Sequence, residues 1–159
     1  MSHMKRMKTK SSFELSVIKR LCADEGWKFM ENQKTYQWFG RWMGDSPLPE
    51  SMTIEEIGHC NHAIQVPGCS YEIGLVKMGD KWDIRYDYWH SGGLDKAIGV
   101  EGQIFRKLYS FTKAKIACEY HGKSYQEETL ENGARKLVVF TSGGGDGFGE
   151  NPIEGGMNW

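Results

Sequence analysis

Apolar positions recur at two spacings along the chain and divide it into helices and strands. Leu15, Ile18, Leu21 and Cys22 stand at helical spacing behind a Ser11/Glu14 capping pair, and Gly26 supplies a stop, which predicts a first helix over 12–25. Ile104, Phe105, Leu108, Phe111 and Ile116 form a broader stripe ending near Gly122 and predict a second helix over 101–121. Elsewhere the period falls to two. Residues 82–89 alternate most cleanly, with Trp82, Ile84, Tyr86 and Tyr88 on one face and Asp83, Arg85 and Asp87 on the other. Residues 61–66 and 71–76 alternate around Pro67-Gly68, and 125–130 and 135–141 flank the hairpin signal Asn132-Gly133. Residues 3–9, 27–31 and 36–41 complete the expected strands.

These elements specify an α+β fold: an antiparallel sheet of about six to seven strands with two helices packed on one face. The alternation of 82–89 implies one wet face, which would carry an Asp-Arg-Asp ladder. Gly44, Asp45, Ser46, Pro47 and Pro49 open an exposed excursion over 44–58, in which Thr53 and Glu56 cap a single turn. Residues 1–141 read as one domain. Residues 142–159 contain seven glycines and no periodicity and read as a mobile tail, although Phe148, Ile153, Met157 and Trp159 would allow it to dock.

Composition narrows the partners. A chain of 159 residues that is 39% hydrophobic can close one core without metal or disulfide staples, so no cofactor is expected. The net charge of −1 gives no global field for long nucleic acid or an anionic membrane, so any anion site must be local. No run approaches the roughly 18 apolar residues of a membrane span, and no signal-type apolar core follows the basic start, which points to the cytoplasm. Cys22, Cys60, Cys69 and Cys118 contain no CxxC pair and read as reduced thiols.

Cys60-Asn61-His62-Ala63-Ile64, Tyr71-Glu72-Ile73-Gly74-Leu75 and the aspartate-aromatic strand 83–89 follow one another in an unusual order. Together with the Met-Ser-His start, this order resembles the uncharacterised family named after chloroplast open reading frame thirty-five, found in plastids, cyanobacteria and tailed phages. The resemblance covers residues 1–141. The excursion at 44–58 and the glycine-rich tail are similar to phage-encoded members, which would place the protein in the host cytoplasm. The family brings no catalytic residues to transfer, so the resemblance implies a fold and leaves function open.

Three constellations bear on chemistry. His59, Cys60, His62 and Cys69 are candidate metal ligands, but their spacing matches no common zinc finger, and adjacent His59 and Cys60 would point to opposite faces of an extended chain. Strand-end packing accounts for them better, and no metal site is expected. Asp83 and Asp87 would suit general acid-base work if buried together, whereas on a solvent-facing ladder they only balance Arg85. Trp38, Arg41, Trp42, Arg85, Trp89 and His90 combine flat rings with guanidinium groups, a set suited to stacking on a base and forking a phosphate. The bland alternative makes Trp38 and Trp42 core residues and Arg41 a surface charge.

The expected function is therefore non-enzymatic binding of a small anionic ligand of nucleotide type. Its phage version is a sponge that sequesters a cyclic or ADP-ribose-type immune signal of the host, a step that rests on analogy. A protein-interaction module or homo-oligomer without small ligand is the alternative, and a metal-dependent hydrolase built on the His/Cys cluster is a third.

Overall fold

A computed structural model describes residues 2–7, 13–132, 134–140 and 152–155. The fold is α+β, and the chain forms two compact units, Met1–Phe105 and Arg106–Trp159. Among the described residues no helix is long and apolar enough to cross a membrane.

The first unit is built on a five-stranded antiparallel sheet. Its strands are β1 (Met4–Met7), β2 (Lys28–Met30), β3 (His62–Gln65), β4 (Ile73–Met78) and β5 (Lys81–Asp87), in the spatial order β1-β5-β4-β3-β2. Register places Gly74 opposite Arg85, Leu75 opposite Ile84 and Val76 opposite Asp83. Because side chains alternate, Leu75, Ile84 and Tyr86 share one face, while Gly74, Val76, Asp83, Arg85 and Asp87 share the other. Helix α1 (Leu15–Glu25) lies beside β2 and buries Ile18, Leu21 and Cys22 of the predicted stripe together with Val17, while Leu15 is only partly buried. It stops at Gly26, whose φ of 71° is the left-handed conformation that a glycine adopts without strain. Ser11, the expected cap, lies outside the described residues, and Glu14 occupies the cap position without a side-chain capping bond. Phe105 stacks on Trp27 and meets Phe13 edge-on, with ring centroids 6.2 Å and 5.9 Å apart.

The second unit contains β6 (Ser124–Thr129), β7 (Arg135–Phe140) and β8 (Pro152–Gly155), a separate antiparallel sheet in that order. Helix α3 (Gln103–Tyr120) starts in the first unit, after the short α2 (Leu94–Ile98), and continues into the second. There Phe111 and Cys118 pack with Leu137 and Val139. Apart from Pro152–Gly155, the tail expected to be mobile lies outside the described residues.

Three expectations are corrected. The single sheet of six to seven strands is instead a five-stranded sheet plus a separate smaller one, because hairpin β6–β7 satisfies its inner edges locally and alternation does not specify non-local partners. Residues 36–41 form no strand; Thr35 makes an isolated bridge with His59, and Cys60 N–H donates to Lys34 O at 2.8 Å. Residues 44–58 are largely exposed, as expected, but they belong to a longer excursion, 31–61, that also carries buried side chains. Residues 31–61 fold back over the polar face of the sheet, where Tyr36, Met52, Ile57 and Cys60 make a second apolar cluster with Met4 and Ala63. The face expected to be wet is consequently roofed, and Asp83, Arg85 and Asp87 are 9%, 2% and 0% exposed.

Candidate functional site

Burying charged groups is unfavourable unless each finds a partner, and the roofed face shows how that condition is met. Asp87 accepts three backbone N–H groups from three segments: His3 and Trp89 on Oδ1 at 2.9 Å and 3.0 Å, and Phe39 on Oδ2 at 3.1 Å. Glu72 Oε1 accepts from Gln33 Nε2 at 3.0 Å and Gln37 N–H at 2.9 Å. Both carboxyl groups therefore fasten the excursion to the sheet through main chain and amide.

Asp83 is gripped by Arg6 in a two-pronged pair, Nε to Oδ2 at 2.8 Å and Nη2 to Oδ1 at 3.1 Å. Arg6 also donates to Glu50 O at 3.0 Å, another tie to the excursion. Arg85 reaches Asp83 Oδ2 at 3.4 Å through Nη2 and Glu56 Oε2 at 3.1 Å through Nη1. Its Nη2 also lies 3.8 Å from the Met78 thioether, and its buried Nε–H has no acceptor among the described residues. Of the five N–H groups on a guanidinium, at least one is unsatisfied and another meets only a weak sulfur acceptor.

Beside Arg85 a cleft of ≈ 250 Å³ opens between excursion and sheet, lined by Glu56, His59, Cys60, Asn61, Val76, Met78 and Arg85. Glu56 ends the single turn Ile54–Glu56. Asn61 is fixed by accepting Lys77 N–H on Oδ1 at 2.9 Å. The Cys60 thiol donates to Gln33 O at 3.1 Å, and burial pushes its pKa up to about 11, so it is no ready nucleophile. The cleft thus combines one buried cation, a half-exposed acid, an amide and an apolar wall, which suits binding of a small oxyanion.

The sequence-predicted residues divide. Arg85 is in the cleft. Trp38 and Trp42 pack, partly buried, against the second apolar cluster, and Arg41 is exposed. Trp89 sits elsewhere, its ring edge-on to His3 at 5.1 Å and tilted on His90 at 4.3 Å. Of the six residues, Arg85 alone lines the cleft. The four candidate ligands also separate: His59 and Cys60 reach the cleft, whereas His62 lies on the opposite sheet face between Phe29 and Trp82, and Cys69 follows the Pro67-Gly68 turn. Among the described residues no group of three or more His, Cys, Asp or Glu side chains could hold a metal. The hydrolase reading loses its ligand set. Asp83 and Asp87 are buried rather than solvent-facing, yet their oxygens are engaged as hydrogen-bond acceptors.

Glu56, Asn61 and Met78 escaped the sequence reading because each comes from a different segment with no motif. Gly74 held a usable clue, since a glycine inside a strand often marks close approach of another group. No family model, curated protein or solved structure matches the chain.

Proposed function

We propose that the chain is a binding protein for a small anionic ligand whose charged end enters the cleft beside Arg85. The observation that carries this reading is Arg85 itself: 2% exposed, in the cleft wall, with an Nε–H that has no acceptor among the described residues. A guanidinium so placed offers a positive charge and directional N–H donors to a carboxylate or phosphate, and Val76 and Met78 supply an apolar flank. Volume limits the fit. At ≈ 250 Å³ the cleft falls below the roughly 300–1,000 Å³ of pockets that enclose drug-sized ligands. A cyclic or ADP-ribose-type nucleotide would insert its phosphate and leave the base outside. In the phage-sponge version, which the family resemblance motivates, the protein acts in the host cytoplasm.

Titration calorimetry with inorganic phosphate, 3′,5′-cyclic AMP and ADP-ribose tests the reading. Binding of at least one at micromolar concentration, weakened tenfold or more by Arg85→Met with the fold verified by urea melting, is the expected result. Silence from all three at millimolar concentration would remove the nucleotide reading and any phosphate-bearing ligand.

A second reading has its own support. Phe39, Met43 and Ile54, all within residues 31–61, are 40%, 43% and 54% exposed, apolar side chains that a protein partner or a second copy would cover. Light scattering of the intact chain separates them: a strict monomer argues against self-association through this surface.

A further inference from the structure

We infer that Glu56 occupies the place of the ligand's anionic group, and that the ligand binds by exchanging with it on Arg85; this rests on the reading of the cleft as a ligand site. Arg85 has two acidic partners of unequal hold. Asp83 has a side chain 12% exposed and is forked by Arg6 as well. Glu56 has a side chain 43% exposed, stands on a single turn and meets Arg85 through one bond of 3.1 Å. The pair is half-exposed at its Glu56 end, where water competes for the carboxylate and the long side chain gives up rotamer freedom to hold one geometry. Glu56 is therefore the partner that can leave.

Charge then specifies what can replace it. Arg6 and Arg85 are balanced by Asp83 and Glu56, so the closed cluster is neutral. Turning Glu56 out to solvent leaves one uncompensated positive charge at the cleft, which a group of one negative charge restores to neutrality. A phosphomonoester dianion would add a surplus charge near Asp83. The preferred ligand chemistry is a monoanionic oxyanion with an apolar neighbour for Val76 and Met78, supplied either by a carboxylate or by a phosphodiester. While Glu56 is seated, the site is open only for a fraction of the time, and the apparent affinity falls by that fraction.

The test measures binding of butyrate, 3′,5′-cyclic AMP and AMP to wild type, Glu56→Gln and Glu56→Ala, with the side-chain Nε–H NMR signal of Arg85 reporting the location. Glu55→Gln, a change at the exposed neighbouring acid of the same turn, removes one charge without touching Arg85. Expected are binding of butyrate or cyclic AMP in preference to AMP, a shifted Arg85 Nε–H signal, and affinity about tenfold or more tighter in both Glu56 variants. Glu55→Gln should stay within about twofold of wild type. Which probe binds identifies the carboxylate or phosphodiester source. Unchanged or weaker binding in both Glu56 variants, or equal tightening by Glu55→Gln, overturns the exchange and leaves the cleft reading intact. Binding of no probe to any variant overturns both.

Discussion

The ring of Tyr36 lies directly on the backbone of Gly74, so that a Cβ at residue 74 would fall inside contact distance of Tyr36 Cδ1. The excursion reaches the sheet here only because one strand position lacks a side chain. Gly74→Ala should destabilise the protein by about 1–3 kcal/mol through overpacking. Tyr36→Ala should relieve that clash, so urea melts of the two single variants and the double variant should show strong coupling. Purely additive losses would contradict the contact.

Asp87→Ala should be among the most damaging single changes. It strands three backbone N–H groups, each costing about 1–3 kcal/mol when buried without a partner, so a loss of about 3 kcal/mol or more is expected. Amide hydrogen exchange at Phe39, His3 and Trp89 should accelerate together. Unaltered protection at Phe39 would show that the excursion is held down by other means.

His62 should make stability fall in mild acid. Its Nδ1 accepts Asn32 N–H at 2.9 Å, which requires a neutral ring, and desolvation by burial holds its pKa below the ordinary 6.5. The folded value lies below the unfolded one, so the contribution is complete above the unfolded pKa and is lost as pH falls through the folded one. Urea midpoints of wild type should decline from pH 7 toward pH 5 more steeply than those of His62→Gln, whose amide oxygen can still accept. Parallel curves would exclude His62 as the cause.

Thiol labelling should begin at Cys69. Cys22, Cys60 and Cys118 are buried, and burial pushes Cys22 up to about 12 and Cys60 up to about 11. At pH 8 the thiolate fractions of Cys22 and Cys60 are roughly one in a thousand or less, and the thiolate is the reacting form. Cys69 is partly exposed, although burial raises its pKa as well. Mass-resolved labelling of the native protein should find Cys69 modified first; early modification of Cys60 would mean that the excursion opens readily.

The strands were legible where one face differed from the other. Trp82, Ile84 and Tyr86 do share a face, and the spacing of Ile18, Leu21 and Cys22 does mark the buried stripe of α1, which Val17 joins and Leu15 only borders. What covers the other face of β5 was not legible, since alternation distinguishes two faces without saying whether the polar one meets water. Asp83, Arg85 and Asp87 look the same in sequence whether solvated or roofed. The roof has no period: Tyr36, Met52 and Ile57 are irregularly spaced, and it is fastened by Glu72, Asp87 and Arg6 binding main-chain groups, which any sequence would offer. The cleft depends on that docking, so only Arg85 of its proposed ligand-binding residues was anticipated.

The cleft takes Glu56, His59 and Cys60 from the excursion and Val76, Met78 and Arg85 from the sheet. A molecule bound there would contact both surfaces and have no equivalent place once they part. Occupancy would then act as a rivet, making detachment of the excursion harder by about 2.7 kcal/mol at a hundredfold excess over Kd. The filled protein would resist proteolytic nicking around residues 44–58 for longer than the empty one, so its durability would report whether it has found its ligand.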